Sequence, residues 1–374
     1  MDTPVWMGPG SVGSFRGWLS LVGKPMQTAS RSQRVGVFFL AMLATLGAFA
    51  QTAPQLPSPD SAVTLAPVAV SGVLPGPALW KVSKDGHVMW VLGITSPLPK
   101  DMQWESSKVE HLIASSQQVL KPPGMTFGAK VSLWGRLSLI PSMIGLKKLP
   151  EGQTLEQALP SELYNRWLVQ KNKYLRDSRS VDRLRPSFAG EKLYSAALSQ
   201  SGLTDNRMVE NVVYAAAGRG KVSVIDTHYI LMLDDPRHAA KQFKQATIDD
   251  QQCLRGILDI IDQDFSQATE RANAWATGNL RALNRVLSAK QQDECLSVIG
   301  STGFAKTIGM TDVSKQIQQA WIKAAETALT HAPQSVALLP INLLVAGDGY
   351  LKVLEKDGYT VEPPKSLAET NTDY

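Results

Sequence analysis

Apolar and polar residues alternate along ALWKVSKDGHVMWVLGI, residues 78–94, on both sides of Asp85-Gly86. Alternation with period two, interrupted by a pair that tolerates positive φ, predicts a β-hairpin whose more apolar arm, Val88 to Ile94, lies in a buried sheet. The period then becomes helical, with Val109, Leu112 and Ile113 on one face of a segment from Glu105 to Ser116. Gln118-Val119-Leu120 predicts a short strand, stopped by Pro122-Pro123. Helical patterning dominates the middle of the chain. One helix is predicted from Thr154 to about Lys173, with Thr154 and Glu156 in its first turn, and another from Asn206 to Ala217, capped by Gly218. Lys221 to Ile225 reads as a strand reached directly from that helix. Further helical stretches are predicted from about Pro236 to Lys290 and from Val313 to Thr330. A strand (Ser335 to Leu339), a helix (Gly349 to Lys356) and a strand (Tyr359 to Glu362) close the chain. The expected class is a mixed α/β fold: a central sheet opened by a β-hairpin, a large helical insertion and a terminal β-α-β element.

The longest apolar run lies outside this domain. Val35 to Ala50 is sixteen residues without a charge, preceded by Arg31-Ser-Gln-Arg34 and closed by the small-x-small triplet Ala48-Phe49-Ala50. A basic flank, an apolar stretch and a cleavage site form the pattern of a secretory signal peptide. The run is short for a bilayer span, which needs about 20 residues; an uncleaved leader is the alternative, and would be the sole membrane attachment. Residues 1–50 thus read as an N-terminal extension plus signal peptide, with Met26 as an alternative start. Residues 51–77 hold six prolines and read as a linker. The folded domain is expected over 78–364, with a tail at 365–374. The implied location is exported, periplasmic or extracellular.

Composition changes this picture little, but charge does. Hydrophobic residues at 44% and charged residues at 19% fit a globular chain and exclude disorder and coiled coil. The formal net charge of +5 is concentrated early: residues 1–50 hold Arg16, Lys24, Arg31 and Arg34 against Asp2. Beyond them 34 basic residues meet 32 acidic ones, and no basic cluster is read there, which argues against a nucleic-acid partner. Two cysteines, Cys253 and Cys295, exclude a thiolate zinc cluster. Export would let them pair across a loop of about 43 residues; packed thiols are the other reading.

Candidate chemistry is sparse. No HExxH, Gly-rich phosphate loop or G-x-S-x-G elbow is present. Of the five histidines none stands three or four residues from another. His87 is expected to be solvated in the hairpin turn, and His111 to lie on a polar helix face. His228 follows a strand in IDTHYI, at the carboxyl end where open α/β sheets bind ligands.

The segment PALWKVSKDGHVMWVLGITSPLPKDMQWESSKVEHLIASSQQVLKP resembles the opening of the TraB/GumN family, relatives of the TIKI metallopeptidases. That opening has a hairpin, a Gly-x-x-His motif, "LP", a helix and a strand ending in glutamate. The likeness continues through GQTLEQALPSELY, AAAGRGKVSVIDT and WATGNLRAL to SVALLPINLLVAGDGYLKVLEKDGYTVE. It spans about residues 77–362, and the ending is most similar to the bacterial GumN branch, encoded near exopolysaccharide genes.

The resemblance implies a divalent metal in active relatives, and here its ligand positions are substituted. Ser96 stands at the first histidine position, Lys121 at the glutamate, and Asn342 at or within one residue of the second histidine. Hydroxyl and amide oxygens are weak ligands for a transition metal, and an ammonium repels it. No cofactor is therefore expected. Two functional readings follow: a catalytically inactive exported relative that uses a retained cleft for a cell-envelope protein or polysaccharide, or a hydrolase with a relocated site. The second would use Ser96 with Lys121, or Asp226 with His228. Trp80, Trp90 and Trp104, near the expected cleft, are candidates to stack on sugars or simply to pack the hairpin.

Overall fold

The computed structural model describes residues 76–364, apart from 206, 247–249, 287–307, 311 and 346–348. The leader, most of the 51–77 segment, the 365–374 tail and Cys295 lie outside the described residues.

The hairpin forms as its pattern demands. β1 (Leu79–Lys84) and β2 (His87–Ile94) are joined by Asp85 at φ +52° and Gly86 at φ +83°. Two successive positive φ values match the twist of the flanking strands, and a glycine takes one of them without steric cost. The next elements are β3 (Leu98–Pro99), α1 (Ser107–Ala114), β4 (Gln118–Leu120), β5 (Met125–Gly128) and α2 (Leu133–Met143). A helical layer follows with α3 (Leu155–Ala158), α4 (Ser161–Tyr174) and α5 (Pro186–Gln200). The chain returns through β6 (Leu203–Thr204), α6 (Met208–Gly220), β7 (Ser223–Ile225) and β8 (Tyr229–Met232). Then come α7 (Pro236–Gln245), α8 (Gln251–Ala276) and α9 (Leu280–Val286). It ends with α10 (Val313–His331), β9 (Gln334–Pro340), α11 (Ile341–Val345), α12 (Tyr350–Lys356) and β10 (Thr360–Glu362).

Six strands form the central sheet in the order β10-β1-β2-β9-β4-β7. β1 runs antiparallel to β10 and β2, whereas β2, β9, β4 and β7 are mutually parallel. The carboxyl ends of four adjacent strands therefore share one edge. β9 enters between β2 and β4, and β10 closes the far side beyond β1, so the terminal β-α-β element steps over the hairpin. One core packs both faces of this sheet, with Val91, Leu92, Ala337 and Leu338 against residues of α1, α6 and α10. Trp275 of α8 joins it, donating Nε1–H to Gly93 O at 2.7 Å and meeting Trp104 edge-on at 5.5 Å. A second core lies in the helical layer, where Leu163 and Trp167 of α4 meet Leu193 of α5 and Leu254 and Leu258 of α8. The large helical insertion thus has its own apolar centre.

Several expectations need correction. The helix predicted over 154–173 is two helices, because Pro160 has no N–H to continue the first and instead starts the second. Gly218 does not end α6. The helix runs to Gly220, and the left-handed cap is Lys221 at φ +53°, its N–H bonded to Gly218 O. The stretch from Pro236 is interrupted after Gln245 and again after Ala276, each time by residues that leave helical geometry. His87 is the first residue of β2 and not a solvated turn residue: it is half-buried, and its Nδ1 is buried with no hydrogen-bond partner among the described residues.

Candidate functional site

The site forms where two parallel strands leave the central sheet together. β4 and β7 pair up to Leu120↔Ile225, and the same two chain segments pair again as β5 and β8 from Met125↔Tyr229. Between those points four residues, Lys121 to Gly124, face three, Asp226 to His228. The extra residue acts like a bulge and re-aims the side chains around it. Backbone bonds hold the junction on both sides: Lys121 N–H donates to Ile225 O at 3.0 Å, and Tyr229 N–H to Gly124 O at 2.9 Å. Thr227, buried, donates its hydroxyl to the carbonyls of Lys121 and Pro122, both at 3.0 Å.

This junction brings Lys121, Asp226 and His228 into one cluster. Lys121 Nζ lies 2.9 Å from Asp226 Oδ2. The other carboxylate oxygen, Oδ1, accepts from His228 N–H at 2.9 Å and lies 2.5 Å from His228 Nδ1. Burial disfavours the charged form of Asp226, but the hydrogen bonds from the His228 ring, Lys121 and the His228 amide outweigh it. They hold the carboxyl well below the usual carboxylate range. An ionised carboxylate can only accept, so Nδ1 carries a hydrogen toward Asp226. The imidazole, 3% exposed, packs over Gly124, where an added Cβ would lie 2.7 Å from Nε2. Glycine is required there for close approach, not for an unusual φ.

The other expected residues share the edge but not the cluster. Ser96 is exposed two residues beyond β2, before a cis bond to Pro97, and Asn342 is half-buried at the start of α11, just beyond β9. Gly93 lets these two ends pack: a side chain there would collide with Ile341. Among the described residues no side-chain hydrogen bond joins Ser96 or Asn342 to Lys121, Asp226 or His228. The sheet order puts β2 two positions from β4 and three from β7. At about 4.8 Å per strand these axes are separated by roughly 10 and 14 Å.

The donor set can be tested against a divalent metal. Among the described residues no group of three or more His, Cys, Asp or Glu could hold one. The strand ends offer two weak oxygen donors, an ammonium, one carboxylate already bonded to that ammonium, and one imidazole turned toward the carboxylate. This set does not fit a transition-metal centre.

Three features were missed in the sequence. Glu210, in the first turn of α6, is a buried carboxyl pushed up by desolvation and only partly opposed by Arg207. Its neighbour Tyr214 has its phenol pushed far up by burial, then by Glu210, with Asp226 also contributing. An acidic residue beside Val209 and three before Val213, apolar positions on one helix face, was the available signal. The expectation of no basic cluster is corrected as well. Residues 171–185 carry Lys171, Lys173, Arg176, Arg179, Arg183 and Arg185 against Asp177 and Asp182, an excess hidden by averaging over the chain. Of the two readings offered for the tryptophans, packing holds: Trp80 and Trp104 are core side chains, and Trp90 is partly buried against the same core.

No helix among the described residues is long and apolar enough to cross a membrane. A sequence model described as the TraB/PrgY/gumN family matches residues 78–363. Neither the curated proteins nor the solved structures contain a significant match.

Proposed function

The chain belongs to the TraB/PrgY/gumN family, and from that premise we propose that it is an exported, catalytically inactive relative whose strand-end cleft binds rather than hydrolyses. The observation that carries this reading is the Lys121–Asp226 ion pair. It puts a fixed positive charge where the family resemblance implies an anionic metal ligand. A divalent ion 4 Å from an ammonium meets a repulsion on the order of 8 kcal/mol at an effective dielectric of about 20. That equals the whole free energy of roughly micromolar binding. Asp226 offsets part of that field, but Lys121 and His228 already engage both of its oxygens, so neither is free to coordinate a metal. Export rests on the apolar run 35–50 with its basic flank, and a role beside cell-surface polysaccharide rests on the GumN-like ending.

The test is elemental analysis of the purified chain after incubation with manganese, cobalt or zinc, followed by calorimetric titration. The expected result is substoichiometric metal. One equivalent held with Kd below about 1 µM overturns the reading.

The Asp226–His228 contact favours a second reading, a hydrolase, because a carboxylate on Nδ1 leaves Nε2 as a base. The nucleophile is what it lacks. Ser96 lies two residues beyond β2, a strand whose axis is roughly 14 Å from that of β7 across the sheet, and no hydrogen bond joins it to His228 among the described residues. A fluorophosphonate probe is expected to leave Ser96 unlabelled; labelling lost in Ser96→Ala would promote the hydrolase.

A further inference from the structure

A concave surface lies in the helical layer, lined by none of the strand-end residues. It is a cavity of about 430 Å³ formed by the carboxyl end of α4 and the 3-10 turn Arg179–Arg183. That volume suits a small organic ligand. Its lining includes Lys171, Arg176, Arg179 and Arg183 against Asp177 and Asp182.

These charges do not cancel. Lys171, buried in α4, spends its ammonium on Asp182 Oδ2 at 2.7 Å. What remains is three exposed guanidiniums against Asp177 alone, and none of the three forms an ion pair with a described residue. Two arginines nearby in the helical layer are engaged instead. Arg166 forks between Asp259 and Asp262 at 2.8 and 2.9 Å, and Arg185 donates to the carbonyls of Phe243, Lys244 and Ala246.

The backbone adds an independent observation. Arg176 follows the end of α4 with φ +50°, its N–H bonded to Lys171 O at 2.9 Å. This left-handed position after a helix is where glycine is favoured, because a Cβ crowds the carbonyl. Lys221 adopts the same conformation after α6, so at Arg176 the left-handed backbone matters only because it sets the direction from which a cavity-lining side chain leaves.

We propose that this cavity binds a small organic anion bearing phosphate or carboxylate groups, gripped by Arg176, Arg179 and Arg183. Planar guanidinium forks match such oxyanions in two-point contacts. Because the arginines are exposed, binding weakens as salt screens them.

The experiment is calorimetric titration of the full chain with inorganic pyrophosphate and with citrate, at about 50 mM and about 300 mM salt. One saturable site is expected, weaker at the higher salt. Affinity is expected to fall at least tenfold in Arg179→Gln/Arg183→Gln and severalfold in Arg176→Gly, while Arg176→Gly keeps or raises Tm because glycine suits the left-handed backbone. Arg219→Gln, distant in the sequence and paired with Glu110, serves as the control and is expected to bind normally. Tighter pyrophosphate assigns a phosphate ligand, and tighter citrate a carboxylate; either supports the site. Absence of saturable binding to both, binding undiminished in the arginine variants, or an equal loss in Arg219→Gln overturns it. None of these outcomes bears on the strand-end cleft, so the two proposals fail separately.

Discussion

Lys121 and Asp226 stand one residue past the last paired positions of neighbouring parallel strands, and their side chains meet at 2.9 Å. With 19% and 17% exposure, the pair is largely withdrawn from water. Removing one member strands the other. Lys121→Met is expected to cost about 1–2 kcal/mol, between the ranges for surface and fully buried pairs. Asp226→Asn should cost at least as much, since it also weakens the bonds from His228. The double variant should lose less than the sum, by about 0.5 kcal/mol or more. Urea unfolding of the four proteins measures this, and strict additivity would mean that the pair has no energetic coupling.

The site and the adjoining helix should respond to pH with opposite signs. Asp226 has a folded-state pKa below its unfolded value, so its contribution is complete above about pH 4 and is lost as pH falls below it. Glu210 has a raised folded pKa, so it costs stability as pH rises above about 4. Asp226→Asn should therefore destabilise at pH 7 and progressively less toward pH 2. Glu210→Gln should raise Tm at pH 8 and have little effect at pH 4. Calorimetric melts across that range decide it, and a Glu210→Gln gain that is the same at both pH values would contradict the assignment.

His228 explains a glycine. Gly124→Ala is expected to cost about 1–3 kcal/mol by overpacking against the imidazole. Placed in a His228→Ala background, the same change should cost well under half as much. Equal losses in the two backgrounds would show that something other than the ring demands the glycine.

Cys253 is buried in α8, and export would expose it and Cys295 to oxidising conditions. The oxidised chain is expected to show no free thiol under denaturing conditions and two after reduction. Closing a loop of about 43 residues is worth on the order of 3–4 kcal/mol, so reduction should lower Tm by several degrees. Two titratable thiols before reduction would eliminate the bridge.

The hairpin, the strand at 118–120 and the closing strand-helix-strand were legible because their signals are local. Period-two alternation, a two-residue turn and a pair of prolines act through bonds between near neighbours. In the sequence Lys121 stands out as a departure from a familiar pattern and a candidate partner of Ser96, and Asp226 with His228 as a candidate pair past another strand. That the three meet depends on β4 and β7 being adjacent in the sheet and on one extra residue between two ladders. Neither is encoded in any short window, since strand order is fixed by which apolar faces can be buried together. The same holds for the basic cavity: a count of charges over the chain is blind to which arginines fold onto one surface and which find a partner. Sequence alone decided the hairpin, the strand at 118–120, the closing strand-helix-strand and which residue types are available for chemistry. Tertiary structure decided which of those residues touch, because contacts between distant segments follow from packing the whole core.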